Sequence, residues 1–254
     1  MAASGHCCLL QAPNVPQTAG LAPVPKPACG GQARRNTDPR QKESDPRVEE
    51  TLALAGDAPA ATVLLATIVV ASLLGLFVAP GLLDRYLFRP HWLLPRREVL
   101  TPITSAFLHA DLPHLLFNAF TFWAFAFSLE RAIGTPKFLL LYFFSLLVSD
   151  LGTWVKHRHD PAYQTLGASG AILGVLFASI LYFPQSSIFI LPIPVPIPAP
   201  LFALAYLAYS YYASRQAGGR INHDAHLGGA LAGIAFVALS DGAVLVRALK
   251  SFVA

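Results

Sequence analysis

Ser169 stands in "TLGASGAIL", with Gly167 before it and Gly170 after it. A histidine, His226, stands in "HDAHLGGALAG" farther along the chain. A serine and a histidine brought within hydrogen-bond reach make a nucleophile and its general base. The near-neutral pKa of imidazole suits a proton shuttle in acyl transfer. A third group lies upstream in "HADLPHLLFN", where His114 and Asn118 are one helical turn apart and share a face. Each motif also has a plain structural reading. A lone serine among glycines is usually a small residue at a helix interface. A lone histidine or asparagine in an apolar helix is usually hydrogen-bonded glue.

The elements that carry these groups are unusually apolar. Of 254 residues, 54% are hydrophobic and 13% charged, about half the charge of an ordinary soluble domain. Twelve of the 32 charged residues fall in residues 1–59, a Pro/Ala/Gly-rich stretch with few large apolar residues that cannot bury enough surface to offset chain entropy. A disordered N-terminal tail is therefore expected there, without a secretory signal. Its Cys7, Cys8 and Cys29 are the chain's three cysteines, and they read as reduced thiols. The basic residues flank apolar segments and form no aromatic-interleaved surface, so no nucleic acid is expected as partner.

A bilayer core takes roughly 20 apolar residues as helix. Six spans are predicted: Ala60 to Ala79, Leu112 to Leu129, Phe138 to Val155, Leu166 to Phe183, Leu201 to Ala213 and Ala225 to Leu239. Residues 60–240 thus form one all-α membrane domain, and 241–254 a short C-terminal tail. "LPIPVPIPAP", between the fourth and fifth spans, has proline at every second position and reads as an extended interfacial loop. Lysine and arginine divide almost evenly between the two faces, so loop charge does not orient the bundle.

Even-numbered spans run parallel. His114 and Asn118 on span two, Ser169 on span four and His226 on span six therefore lie at one depth. Gly170 and Gly174 make a GxxxG on span four, and Gly229 and Gly233 another on span six. Such spacing lets helix backbones approach closely in lipid. If these ridges meet, Ser169 and His226 come together. Gly167 and Gly170 leave room for a substrate backbone. The free amides at the start of the serine helix, with His114 and Asn118, can then hold an oxyanion.

"HADLPHLLFN", "GASG" and "AHLGGALAG", each at the head of an even span and followed in the first case by "ERAIG", resemble the rhomboid family of intramembrane serine proteases. The resemblance covers about residues 60–240. It implies a six-transmembrane-helix rhomboid-like bundle of the bacterial type. It implies a Ser–His dyad, with Ser169 as nucleophile and His226 as base, requiring no metal or cofactor. His114 and Asn118 would support the oxyanion with the Ser169 amide, and His109 would organise the site and its water from the loop before span two. Implied partners are the lipid bilayer and transmembrane protein substrates. The implied location is a bacterial inner (plasma) membrane, with both termini cytoplasmic. Two departures stand out. The Trp-Arg often found before span two is replaced by "REVLTPITSAFLH", with Trp92 left to do related packing. The aromatic often found one turn after the serine is Leu173, which leaves the imidazole to be held by packing alone.

Three other readings stay open. A zinc hydrolase would use His109, His114 and His226, although the spacing of five between the first two does not align them on one helix face. A binding protein would recognise transmembrane helices without cutting them. A transporter would use Asp150 and the histidines.

Overall fold

The computed structural model describes residues 56–190, 193–216 and 222–253. The expected tail and its cysteines lie almost wholly outside the described residues. From Pro59 onward the chain is a bundle of helices, and each predicted span corresponds to one. Helix α1 runs Pro59–Leu73 and continues as a π-helical stretch, Leu74–Val78, in which the Ala79 amide donates to Leu74 O at 2.8 Å. Pro80, with no amide proton, ends it. Short helices follow: α2 (Gly81–Tyr86), a 3₁₀ turn (Pro90–Trp92) and α3 (Thr101–Thr104). The larger helices are α4 (Leu112–Ile133), α5 (Thr135–His157), α6 (Ser169–Tyr182), α7 (Ala199–Ser214) and α8 (His223–Ser240), with α9 (Gly242–Val253) at the end. By length and composition α1 with its extension, α4 and α5 are apolar enough to cross a membrane.

Helix α6 is the axis of the fold. Its sequence, SGAILGVLFASILY, is apolar on every face, the pattern of a helix surrounded by protein. Every residue from Gly170 to Leu181 is buried. Helices α4, α5 and α8 enclose it, while Leu116, Phe117, Phe120 and Trp123 of α4 turn outward as exposed apolar bulk. Phe122, on the inner face of α4, packs on Phe138 and Tyr142 of α5.

Helix α1 is secured at its start by Glu130. This carboxylate is 1% exposed and accepts from the amides of Ala60 at 3.0 Å and Ala61 at 2.7 Å, and from Thr135 Oγ1 at 2.6 Å. A negative charge at a helix N-terminus satisfies free amides and complements the helix dipole. That explains the acidic residue within "ERAIG".

Three expectations change. The fourth helix starts at Ser169 rather than Leu166, because Gly167 has φ +123° and cannot belong to a right-handed helix. The proline-rich segment is a strand of a hairpin: β1 (Ser187–Ile190) pairs antiparallel with β2 (Ile193–Pro198), Ile188 opposite Ile197. Alternate amides of a strand point to opposite edges, so prolines at every second position leave the ladder edge its donors and blunt the other. The C-terminal segment forms α9, bent 117° from α8. Val244 and Ala248, one turn apart, are buried in the core, while Asp241 at the bend accepts from Tyr182 Oη at 3.1 Å.

Candidate active site

The site forms where the starts of α6 and α8 meet. A Cβ on Gly229 would overlap Gly170 O, and one on Gly233 would overlap Gly174 O, so the two backbones are in contact along both GxxxG ridges. A Cβ on Gly170 would also stand 3.4 Å from Ala225 O. The residue after Ser169 and the residue before His226 therefore lie side by side, with space for little more than a methyl group between them. A third ridge, unremarked in the sequence, is Ser145 and Ser149 of α5. A Cβ on Gly174 would overlap the first of these serines, and one on Gly170 the second. Small residues four apart on α5 were the available signal.

Ser169 is the first residue of α6. Its N-cap, Ala168, offers no side-chain acceptor, and the first amide to bond back into the turn is that of Ile172, to Ala168 O at 3.0 Å. The amides of Ser169, Gly170 and Ala171 precede the helical ladder and point out of its end. The preceding loop is held in place from both sides. Gly167 N donates to Ser105 O at 3.0 Å, and Phe88 and Thr165 exchange backbone hydrogen bonds at 2.9 and 3.0 Å.

His114 packs against this loop. A Cβ on Gly167 would lie 2.8 Å from His114 Cε1. Asp111 caps α4 by accepting from the His114 amide at 2.8 Å, which sets the turn that carries the imidazole. Asn118 is buried, and its side-chain amide donates to His114 O at 2.9 Å, one turn back on its own helix. His109 is fully buried and meets His114 edge to face, centroids 4.8 Å apart. Ser72 Oγ of α1 donates to Phe107 O at 3.1 Å and lies 2.9 Å from His109 Nδ1. Its oxygen is thus left to accept from an Nδ1–H, so His109 ties the loop before α4 to α1. Burial, and secondarily the neighbouring His114, push the His109 pKa down to about 3 against an opposing effect of Asp111.

His226 lies in the first turn of α8, after the N-cap Asn222, whose Oδ1 accepts from Ala225 N at 3.0 Å. Asn222 also donates to Thr153 Oγ1 at 3.2 Å and Thr165 Oγ1 at 3.4 Å, joining α5, the loop before Ser169 and α8. Sequence reading passed over Asn222, although an asparagine before an apolar helix is an N-cap signal. The imidazole of His226 is not held by packing alone: Tyr206 Oη of α7 lies 3.0 Å from His226 Nδ1. Asp224 is occupied elsewhere, by Lys156 at 2.7 Å and His157 at 3.0 Å. His157 also stacks on Tyr163 with centroids 3.6 Å apart.

A small polar cavity borders Ser169, lined by Ser105, Ser149, Asp150, Thr165 and Asn222 among others. Asp150 turns a buried carboxylate oxygen without a hydrogen-bond partner toward this region. Trp92 donates through Nε1 to Pro161 O at 3.2 Å, and Arg96 covers its ring at 3.8 Å, anchoring the segment after α2 to the loop before α6. Among the described residues no group of three His, Cys, Asp or Glu side chains is placed to hold a metal ion, which removes the geometric basis of the zinc reading.

Residues 96–240, more than half of the chain, match the rhomboid domain family model. The chain belongs to the rhomboid family. It is a helical membrane protein of that family. It is similar to the rhomboid protein YdcA of Bacillus subtilis, 45% identical over 73 residues, 29% of this chain and 36% of YdcA. It is similar to Rhomboid protein 1, mitochondrial, of Saccharomyces cerevisiae, 32% identical over 59% of this chain and 45% of the yeast protein. The human presenilin-associated rhomboid-like protein, mitochondrial, is 32% identical over 61% of this rhomboid and 42% of its own length. The alignments span less than half the length of each of these relatives.

Proposed function

We propose that this rhomboid is an intramembrane serine endopeptidase that cleaves transmembrane protein substrates through an acyl-enzyme on Ser169, with His226 as base. The observation that carries the reading is the backbone contact between Gly170, next to Ser169, and Gly229, within one turn of His226. In this mechanism Ser169 Oγ attacks the scissile carbonyl while His226 takes its proton. His226 then returns the proton to the leaving amine, and water resolves the ester by the reverse route. The oxyanion is stabilised by the amides at the start of α6 and by His114, packed against Gly167. Asn118 supports His114 from within α4 and His109 supports the loop before it. Asn118 Nδ2 carries a second N–H beyond the one given to His114 O, and that donor is the oxyanion contribution assigned to it.

We place the chain in a bacterial inner membrane, as a likeness to a Bacillus protein suggests, with both termini cytoplasmic as the family resemblance implies. The mitochondrial relatives favour an organelle membrane as the second reading.

The test is labelling of detergent-solubilised protein with a fluorophosphonate probe, beside Ser169→Ala and His226→Ala, with and without chelator. Labelling of wild type alone, indifferent to chelator, is the expected result. Equal labelling of all three would take the nucleophile away from Ser169. No labelling of folded wild type would leave a protein that binds transmembrane helices without cutting them.

A further inference from the structure

A histidine base is best oriented when its second nitrogen is committed. For His226 Nε2 to take a proton from Ser169, Nδ1 must carry the other hydrogen, and an acceptor for that hydrogen fixes the tautomer and the ring. The usual acceptor is a carboxylate, but Asp224 of the same helix is engaged by Lys156 and His157. Leu173, one turn after the serine, offers no polar atom. The His223 ring meets His226 edge-on with centroids 5.8 Å apart. The group at hydrogen-bond distance from Nδ1 is Tyr206 Oη, at 3.0 Å.

We infer that Tyr206 is the positioning residue of the dyad: its phenol oxygen accepts from His226 Nδ1–H, fixing the tautomer and the ring angle that present Nε2 to Ser169. This rests on the assignment of Ser169 and His226 as nucleophile and base. The phenol is itself fixed in place. Its ring packs on Phe202 of α7, centroids 5.6 Å apart, and on Phe177 of α6, 5.9 Å apart. Tyr206 therefore touches both the helix that begins with Ser169 and the helix that carries His226. A phenol oxygen orients an imidazole without adding a negative charge beside it. The base then keeps its direction in a site where a buried carboxylate would itself need a partner.

The full chain in proteoliposomes, cleaving a transmembrane reporter, tests this with two variants. Tyr206→Phe keeps the ring and removes only the oxygen; Tyr206→Leu removes both. The expected result is a kcat lower by about tenfold in Tyr206→Phe, the scale of one lost orienting hydrogen bond. KM should be unchanged, the unfolding temperature should fall by only a few degrees, as for one lost buried hydrogen bond, and Tyr206→Leu should be at least as slow. Wild-type kcat in Tyr206→Phe with loss only in Tyr206→Leu would reduce Tyr206 to packing and overturn the inference. A change in KM alone would do the same. Ser169→Ala is run alongside: if it turns over like wild type, the dyad assignment fails, a result separable from any behaviour of Tyr206.

Discussion

The carbonyl oxygen of Gly170 occupies the place that a Cβ of Gly229 would need. This one contact brings α6 and α8 into backbone register beside Ser169 and His226. Gly229→Ala should force the helices apart, and overpacking of this kind costs about 1–3 kcal/mol. Thermal unfolding in detergent should show the loss, and probe labelling of Ser169 should fall with it. Gly152→Ala, on α5 with nothing within 4 Å of a new Cβ, is the control. It should raise stability by roughly 0.5–1 kcal/mol through helix propensity.

Glu130 can be separated from the chemistry altogether. Glu130→Gln leaves one acceptor where two carboxylate oxygens served two amides and a threonine hydroxyl. Hydrogen bonds to a charged group contribute about 1.5–3 kcal/mol each, so a loss of about 2 kcal/mol is expected. The start of α1 should fray, seen as faster amide exchange at Ala60 and Ala61, while the rate per folded molecule stays at the wild-type level.

His109 should make the fold acid-sensitive. Its folded pKa, about 3, lies below the ordinary value of 6.5, so the unfolded chain takes the proton first. Stability is full above about 6.5 and is lost as pH falls toward 3, by about 1.4 kcal/mol per pH unit within that window. His109→Gln should flatten the dependence between pH 7 and 5 while lowering stability at pH 7, where the bond to Ser72 is weakened. A variant as acid-sensitive as wild type would shift the cause to another group.

Gly167→Ala tests the loop before the serine. A side chain there meets a backbone φ of +123° and the His114 ring at 2.8 Å. Strain at such a position costs on the order of 1–3 kcal/mol. Labelling of Ser169 should drop more than the unfolding temperature, because the displaced group is His114.

Much of this site was legible in the chain. The two GxxxG motifs pointed to the meeting of α6 and α8, because glycine spacing encodes close approach directly. What stayed hidden depends on partners distant in sequence. Tyr206 lies 20 residues before His226 on a different helix, and nothing in a tyrosine among apolar residues says which way its hydroxyl points. Ser145 and Ser149 have meaning only beside the glycines they fill. The β hairpin was missed because proline's lack of a donor was weighed against helix and not against one edge of a strand. Helix α9 was missed because its amphipathic spacing is short and follows a bend.

Helix α6 has 14 residues, about 21 Å at 1.5 Å per residue, whereas a hydrocarbon slab is about 30 Å thick. With its far end at one interface, its first residue stops roughly 9 Å short of the other. Helices α4 and α5, which enclose it, have 22 and 23 residues and are long enough to reach both interfaces, so the shortfall is a recess within the protein and not a thinning of lipid. Water can therefore stand above the first residue of α6 while the outer helices keep the hydrocarbon away from it.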